Sequence, residues 1–114
     1  MSQIDDTALV VLTTVGSVDE GATIARKLVE ERAAACVSRL PVTSTYRWDG
    51  AVQEDGEFLL LIKTRAGNWH RVCERVRELH SYEVPELVAL EASDVDGGYL
   101  AWLLEASSEI AGEA

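Results

Sequence analysis

The stretch from Cys36 to Thr64 constrains this chain most. Val42, Ser44, Tyr46 and Trp48 alternate with Thr43, Thr45 and Arg47, which predicts a long strand. Pro41 cannot donate to a ladder, so a bend or bulge is expected there. Asp49-Gly50 supplies the two residues that tolerate positive φ in a tight hairpin turn. The return strand runs through Phe58-Leu59-Leu60-Leu61-Ile62-Lys63-Thr64, and a second Asp-Gly at Asp55-Gly56 predicts a bulge or a longer loop within it. Phe58 to Ile62 is five apolar residues in a row where a half-exposed strand would alternate, so both faces of that strand need cover.

The flanking segments complete the pattern. Ala8-Leu-Val-Val-Leu-Thr-Thr14 is a β-favouring run that stops at Val15-Gly16. Ser17 followed by Glu20 reads as a capping box, and Ala22, Ala25, Leu28 and Val29 recur at helical spacing, predicting a helix from about Val18 to Ala34. Gly67-Asn68 opens a second helix with Trp69, Val72, Cys73, Val76, Leu79 and His80 on its apolar stripe. His70 falls on the polar stripe and reads as a solvated histidine. Pro85 ends a loop, Leu87 to Leu90 forms a fourth strand, and Gly97-Gly98 precedes a last helix carrying Tyr99, Trp102, Leu103, Ala106 and Ile110. The tail after Ala111 is expected to fray.

The order β-α-β-β-α-β plus a helix predicts a single α+β domain, with its core over about 8–110, built as a ferredoxin-like sandwich. Its two helices cover one face of a four-stranded sheet. The last helix is too short to cover the other, so a second copy of the chain is the expected cover for Phe58–Ile62.

Charge narrows the function classes. The chain carries 20 acidic and 10 basic residues, a net −10. Residues 1–25 hold four acids and no base, 26–77 hold seven acids and ten bases (10 − 7 = +3), and from Glu78 onward there are nine acids and no Lys or Arg. An acidic chain lacks the positive footprint of a nucleic-acid binder. Arg39, Arg47 and Lys63 on the hairpin are candidates to meet Glu86, Glu91 or Asp94 of another copy. Cys36 and Cys73 sit in apolar company and read as buried free thiols. With no signal-like start and no apolar run near the roughly 20 residues that span a bilayer, a reduced, cytoplasmic protein is expected, with no membrane partner.

No phosphate loop, His-Glu-x-x-His or Cys-x-x-Cys occurs, and two histidines leave little for catalysis; no enzymatic activity is expected. An acylphosphatase-like anion loop would need Arg and Gly after strand one, where Val15-Gly16-Ser17-Val18-Asp19-Glu20 is acidic. The aromatic groups Tyr46/Trp48, His80/Tyr82 and Tyr99/Trp102 read first as core or interface. Lys63 ends an apolar strand and either snorkels outward or pairs with Glu54 or Glu86.

Ala34-Ala35-Cys36-Val37, Tyr46-x-Trp48-x-Gly50, Glu54, Lys63-Thr64, His80-x-Tyr82-x-x-Pro85-Glu86 and Tyr99-x-x-Trp102-Leu103 resemble, in order and spacing, the CutA divalent-cation tolerance family. The resemblance runs from about Leu9 to Leu104. It implies a trimer joined through its long hairpins, broadly similar to the PII signalling proteins, and a role in binding and tolerating divalent cations, copper above all. Some bacterial members carry a cysteine at the end of strand one and two histidines before the Tyr-x-x-Pro-Glu segment. Here those positions are Thr13 and Leu79-His80, so His80 is the ligand retained, Glu86 could assist it, and copper binding should be weak. The alternative is a trimeric sensor whose intersubunit pocket, lined by Tyr46, Trp48, Lys63, Tyr82 and Glu86, takes an anionic or zwitterionic metabolite.

Overall fold

The computed structural model describes residues 7–108; Ile110 and the tail after Ala111 lie outside them. The elements are β1 (Ala8–Val15), α1 (Val18–Glu30), β2 (Cys36–Trp48), β3 (Ala51–Arg65), α2 (Trp69–Leu79), β4 (Val88–Glu91) and α3 (Gly97–Ala106), with a 3₁₀ turn at Ala66–Asn68. The strands form one antiparallel sheet in the order β2-β3-β1-β4, the ferredoxin-like arrangement expected.

The hairpin has the expected length but is more regular than the sequence suggests. Its register runs unbroken from Cys36↔Lys63 through Pro41↔Phe58 and Ser44↔Asp55 to Trp48↔Ala51, so neither Pro41 nor Asp55-Gly56 makes a bulge. Pro41 lies on an edge strand, where alternate N–H groups have no strand to meet. Gly56 keeps an extended backbone; Gly50 (φ 79) and Asp49 (φ 54) alone form the turn. The hairpin accounts for the elongated shape, 50 × 26 × 21 Å.

Helix α1 stops four residues short of the expected Ala34. Arg32 adopts φ 60, and Ala33 and Arg32 donate their N–H groups to the carbonyls of Leu28 and Val29. That is a Schellman closure with arginine where glycine is usual, which is why no glycine announced the stop. The Arg32 guanidinium then reaches the end of α3, donating to the carbonyls of Ser108 (2.7 Å) and Glu105 (2.6 Å).

Alternation along β1 and β3 divides the sheet. Leu9, Val11 and Val15 join Leu60 and Ile62 beneath Ile24 and Leu28 of α1 and Val72 and Val76 of α2. Helix α3 covers only the end of the opposite face near Ala8 and Ala35, through Leu103. Tyr99 and Trp102, read as core or interface, are not part of the single chain's core: they are 43% and 45% exposed. The rest of that face, including Leu12, Leu40, Leu59, Leu61, Val88 and Leu90, is open or half-open in the single chain.

Thr13 faces the helices opposite Leu60, wholly buried, and its hydroxyl has no hydrogen-bond partner among the described residues. Such a group costs about 1–3 kcal/mol. Thr13→Val keeps the shape and removes the orphan, and is expected to stabilise the fold by about 1 kcal/mol, read as a Tm higher by a few degrees.

Candidate functional site

The functional geometry gathers where the hairpin passes the loop before β4. Three tethers hold that loop. His80 Nε2 lies 2.7 Å from the Thr14 carbonyl, which can only accept, so Nε2 carries the proton and Nδ1 accepts the Tyr82 N–H at 3.0 Å. Glu20 accepts from the Ser81 N–H (2.6 Å) and Ser81 hydroxyl (3.0 Å), with one oxygen 3.4 Å from His80 Nδ1. Tyr82 Oη donates to Glu57 at 2.7 Å. Only half of the expected capping box therefore forms: Ser17 Oγ accepts the Glu20 N–H at 3.1 Å, while the Glu20 carboxylate anchors the loop. Gly16 leaves room for this, since a Cβ there would sit 3.3 Å from Tyr82 Oη.

Between loop and hairpin lies a cleft of about 600 Å³, within the range of small-molecule sites. Of the residues expected in a pocket, Tyr46, Trp48, Tyr82 and Glu86 line it and Lys63 does not. The Lys63 ammonium instead donates to Ser38 Oγ at 2.7 Å and lies 3.7 Å from Cys36 Sγ, its cross-strand neighbours, so neither Glu54 nor Glu86 is its partner. Glu54 accepts from Thr45 and Tyr46 Oη donates to Asp55 at 2.6 Å, both within the hairpin. Thr14, Ser44, Thr45, Glu57, Glu83 and Val84 complete the walls, none of them among the residues expected from the sequence. Glu57 was within reach of the sequence, because it shares the parity of Leu59 and Leu61 and is the one acid at the head of an apolar run.

The three candidate metal positions are not brought together. Thr13 is sealed in the core, both His80 nitrogens are engaged in holding the loop, and of the three only Glu86 reaches the cleft. Among the described residues no group of three or more His, Cys, Asp or Glu is placed to hold a metal ion. Both cysteines are free; Cys73 is buried, which pushes its thiol pKa up, whereas Cys36 is only half-buried, unlike the expectation. His70 is exposed, as expected. No helix among the described residues is long and apolar enough to cross a membrane.

Burial, then the Glu57 hydrogen bond and charge, hold the Tyr82 phenol well above its ordinary pKa of 10. The folded chain thus keeps this proton after the unfolded chain has lost it. Its contribution is fully present below pH 10 and declines as pH rises beyond that value toward the folded pKa. Tyr82→Phe is expected to flatten the fall of Tm above pH 10, measured by thermal melts across alkaline buffers.

An antiparallel β2-β3-β1-β4 sheet with two helices on one face, a projecting hairpin and a ligand-sized cleft at its flank defines a ferredoxin-like α+β domain. A family model described as the CutA1 divalent ion tolerance protein matches residues 9–106. The divalent-cation tolerance protein CutA of Thermus thermophilus is 53% identical over 97 residues, covering 84% of this chain and 94% of that one. The namesake of Pyrococcus horikoshii is 34% identical over 97 residues, covering 85% and 95%. The solved Thermus thermophilus structure superposes with a TM-score of 0.86 at 50% identity (89% of this chain, 99% of that one). The CutA1 structure from Oryza sativa gives 0.87 at 38% identity (91% and 96%). This chain belongs to the CutA1 divalent ion tolerance family.

Proposed function

We propose that the protein serves divalent-cation tolerance in the cytoplasm as a homotrimer, acting by binding rather than catalysis, with its subunits joined over the open face of the sheet. The observation that carries the assembly is that face: Leu12, Leu40, Leu59, Leu61, Val88 and Leu90 form an apolar surface that a soluble single chain would not leave bare. Family membership supports the cation role. Copper prefers thiolate and imidazole, and the residues present do not fit a preformed copper centre within one subunit. The donors the cleft offers are carboxylate oxygens, which suit harder, labile cations.

Light scattering should give about three times the 12.4 kDa chain mass; 12.4 kDa in dilute buffer would overturn the assembly. In calorimetric titration with copper, His80→Ala is expected to leave binding unchanged while lowering Tm by several degrees, because the imidazole's work is to hold the loop. A copper isotherm abolished by that substitution would restore His80 as a ligand.

A second reading, a PII-like sensor of a small molecule, is favoured by one observation, the open cleft of about 600 Å³.

A further inference from the structure

We propose that His80 makes the loop before β4 sensitive to protons: a second proton on its imidazole turns Nδ1 from acceptor of the Tyr82 N–H into donor to Glu20, and the Tyr82 backbone is released from the ring. The phenol of the same residue rests on Glu57 of β3, so the contact between loop and hairpin is re-set with it. The His80 side chain is 0% exposed in the single chain. All its partners therefore belong to its own chain, and the device is the same whether the cleft and the open sheet face are covered or bare.

The two neighbours of Nδ1 make opposite demands. The Tyr82 N–H, 3.0 Å away, needs a lone pair there; the Glu20 carboxylate oxygen, 3.4 Å away, needs a proton. A neutral ring serves the first and sets lone pair against lone pair at the second. An imidazolium reverses this. Its Nε2–H keeps the Thr14 carbonyl at 2.7 Å in both states, Nδ1–H gains Glu20, and the Tyr82 N–H is left facing another N–H. Glu20 is held in place to receive it, because its two oxygens already accept from the Ser81 N–H and hydroxyl. The surrounding charges favour the change. Glu20 on α1 is in contact, Glu57 on β3 lies beyond the Tyr82 phenol, and β1 offers the Thr14 carbonyl. Arg77 and Glu78 on α2 and Glu83 in the loop are exposed, and the first two offset each other. Histidine is the side chain whose charge ordinarily changes between about pH 5 and 8, so that is the range in which the loop is expected to move.

The test is nuclear magnetic resonance of the isotope-labelled full chain from about pH 8 to about pH 5, with exposed His70, the other histidine of the chain, as the control. At the alkaline end the His80 ring is expected to carry its proton on Nε2. On acidification the Tyr82 amide should shift with the His80 midpoint and not with that of His70. Glu20→Gln takes away the receiving charge and should lower the His80 midpoint by about one pH unit, roughly a tenfold loss of proton affinity. In His80→Gln the Tyr82 amide should no longer respond to pH over this range. A Tyr82 amide that stays still while His80 charges, a His80 ring that stays neutral down to about pH 5, or a proton on Nδ1 at the alkaline end would each overturn the switch, and all three are read on the unaltered chain, whatever the variants do. So would a His80 midpoint indifferent to Glu20→Gln.

Discussion

Leu61→Glu is expected to give single subunits of 12.4 kDa in light scattering, with a far-ultraviolet circular dichroism spectrum close to that of the parent chain. Leu61 stands on the open face beside Leu12 of β1 and Ser38 of β2, with its neighbours Leu60 and Ile62 turned into the core. In the single chain the new carboxylate stays half in water and costs the fold little. Against a second copy it would be desolvated without a partner, a penalty of roughly 3 kcal/mol or more per contact, which weakens association more than about a hundredfold. Leu90→Glu repeats the test at a position already 50% exposed, where damage to the subunit itself is smaller still. Retention of the full oligomer mass by both variants would remove the open face as the assembly surface.

Asn68→Ala is expected to cost about 2–3 kcal/mol and lower Tm by roughly 10 °C, measured by calorimetry at fixed protein concentration. Asn68 occupies the N-cap position of α2, yet its side chain makes no cap. It turns inward, where Nδ2 contacts the Ala33 carbonyl (3.2 Å), Thr64 Oγ1 (3.0 Å) and the Ser107 carbonyl (2.8 Å). One amide thus joins the segment after α1, the end of β3 and the end of α3. Removing it strips buried acceptors in a site only 7% exposed. Asn68→Asp would be worse than alanine, because it presents oxygen to oxygen at each of these contacts. A loss below about 0.5 kcal/mol would show that water replaces the amide.

What could be read in advance depended on whether local chemistry decided the outcome. Trp48-Asp49-Gly50-Ala51 folds as expected because only residues tolerant of positive φ allow that turn. The demand for cover on two faces was visible in Phe58–Ile62, since period-2 geometry sends Phe58, Leu60 and Ile62 one way and Leu59 and Leu61 the other. The end of α1 was misread because a Schellman closure was made with arginine, whose φ of 60 is sustained by closure bonds and by a guanidinium seated on the end of α3, 73 residues away in sequence. The contacts of Lys63 with Cys36 and Ser38 are not legible for a related reason: those residues come near only once the register is set. The tether role of Glu20 depends on a loop 61 residues downstream, and nothing in Ser17–Glu20 signals it.

The unbroken ladder also limits how the hairpin can change in length. Tyr46, Trp48 and Glu57 all occupy the same side of the pleat, and a net slip of one position would send each to the opposite side. Because no bulge absorbs an odd residue between Pro41↔Phe58 and Trp48↔Ala51, insertions or deletions here must come in matched pairs, one residue on each strand, and a single matched pair would still reverse the side on which everything distal to it emerges relative to the core. Length variants that keep both cleft and core should therefore differ by two residues per strand, so this hairpin can grow or shrink only in steps of four.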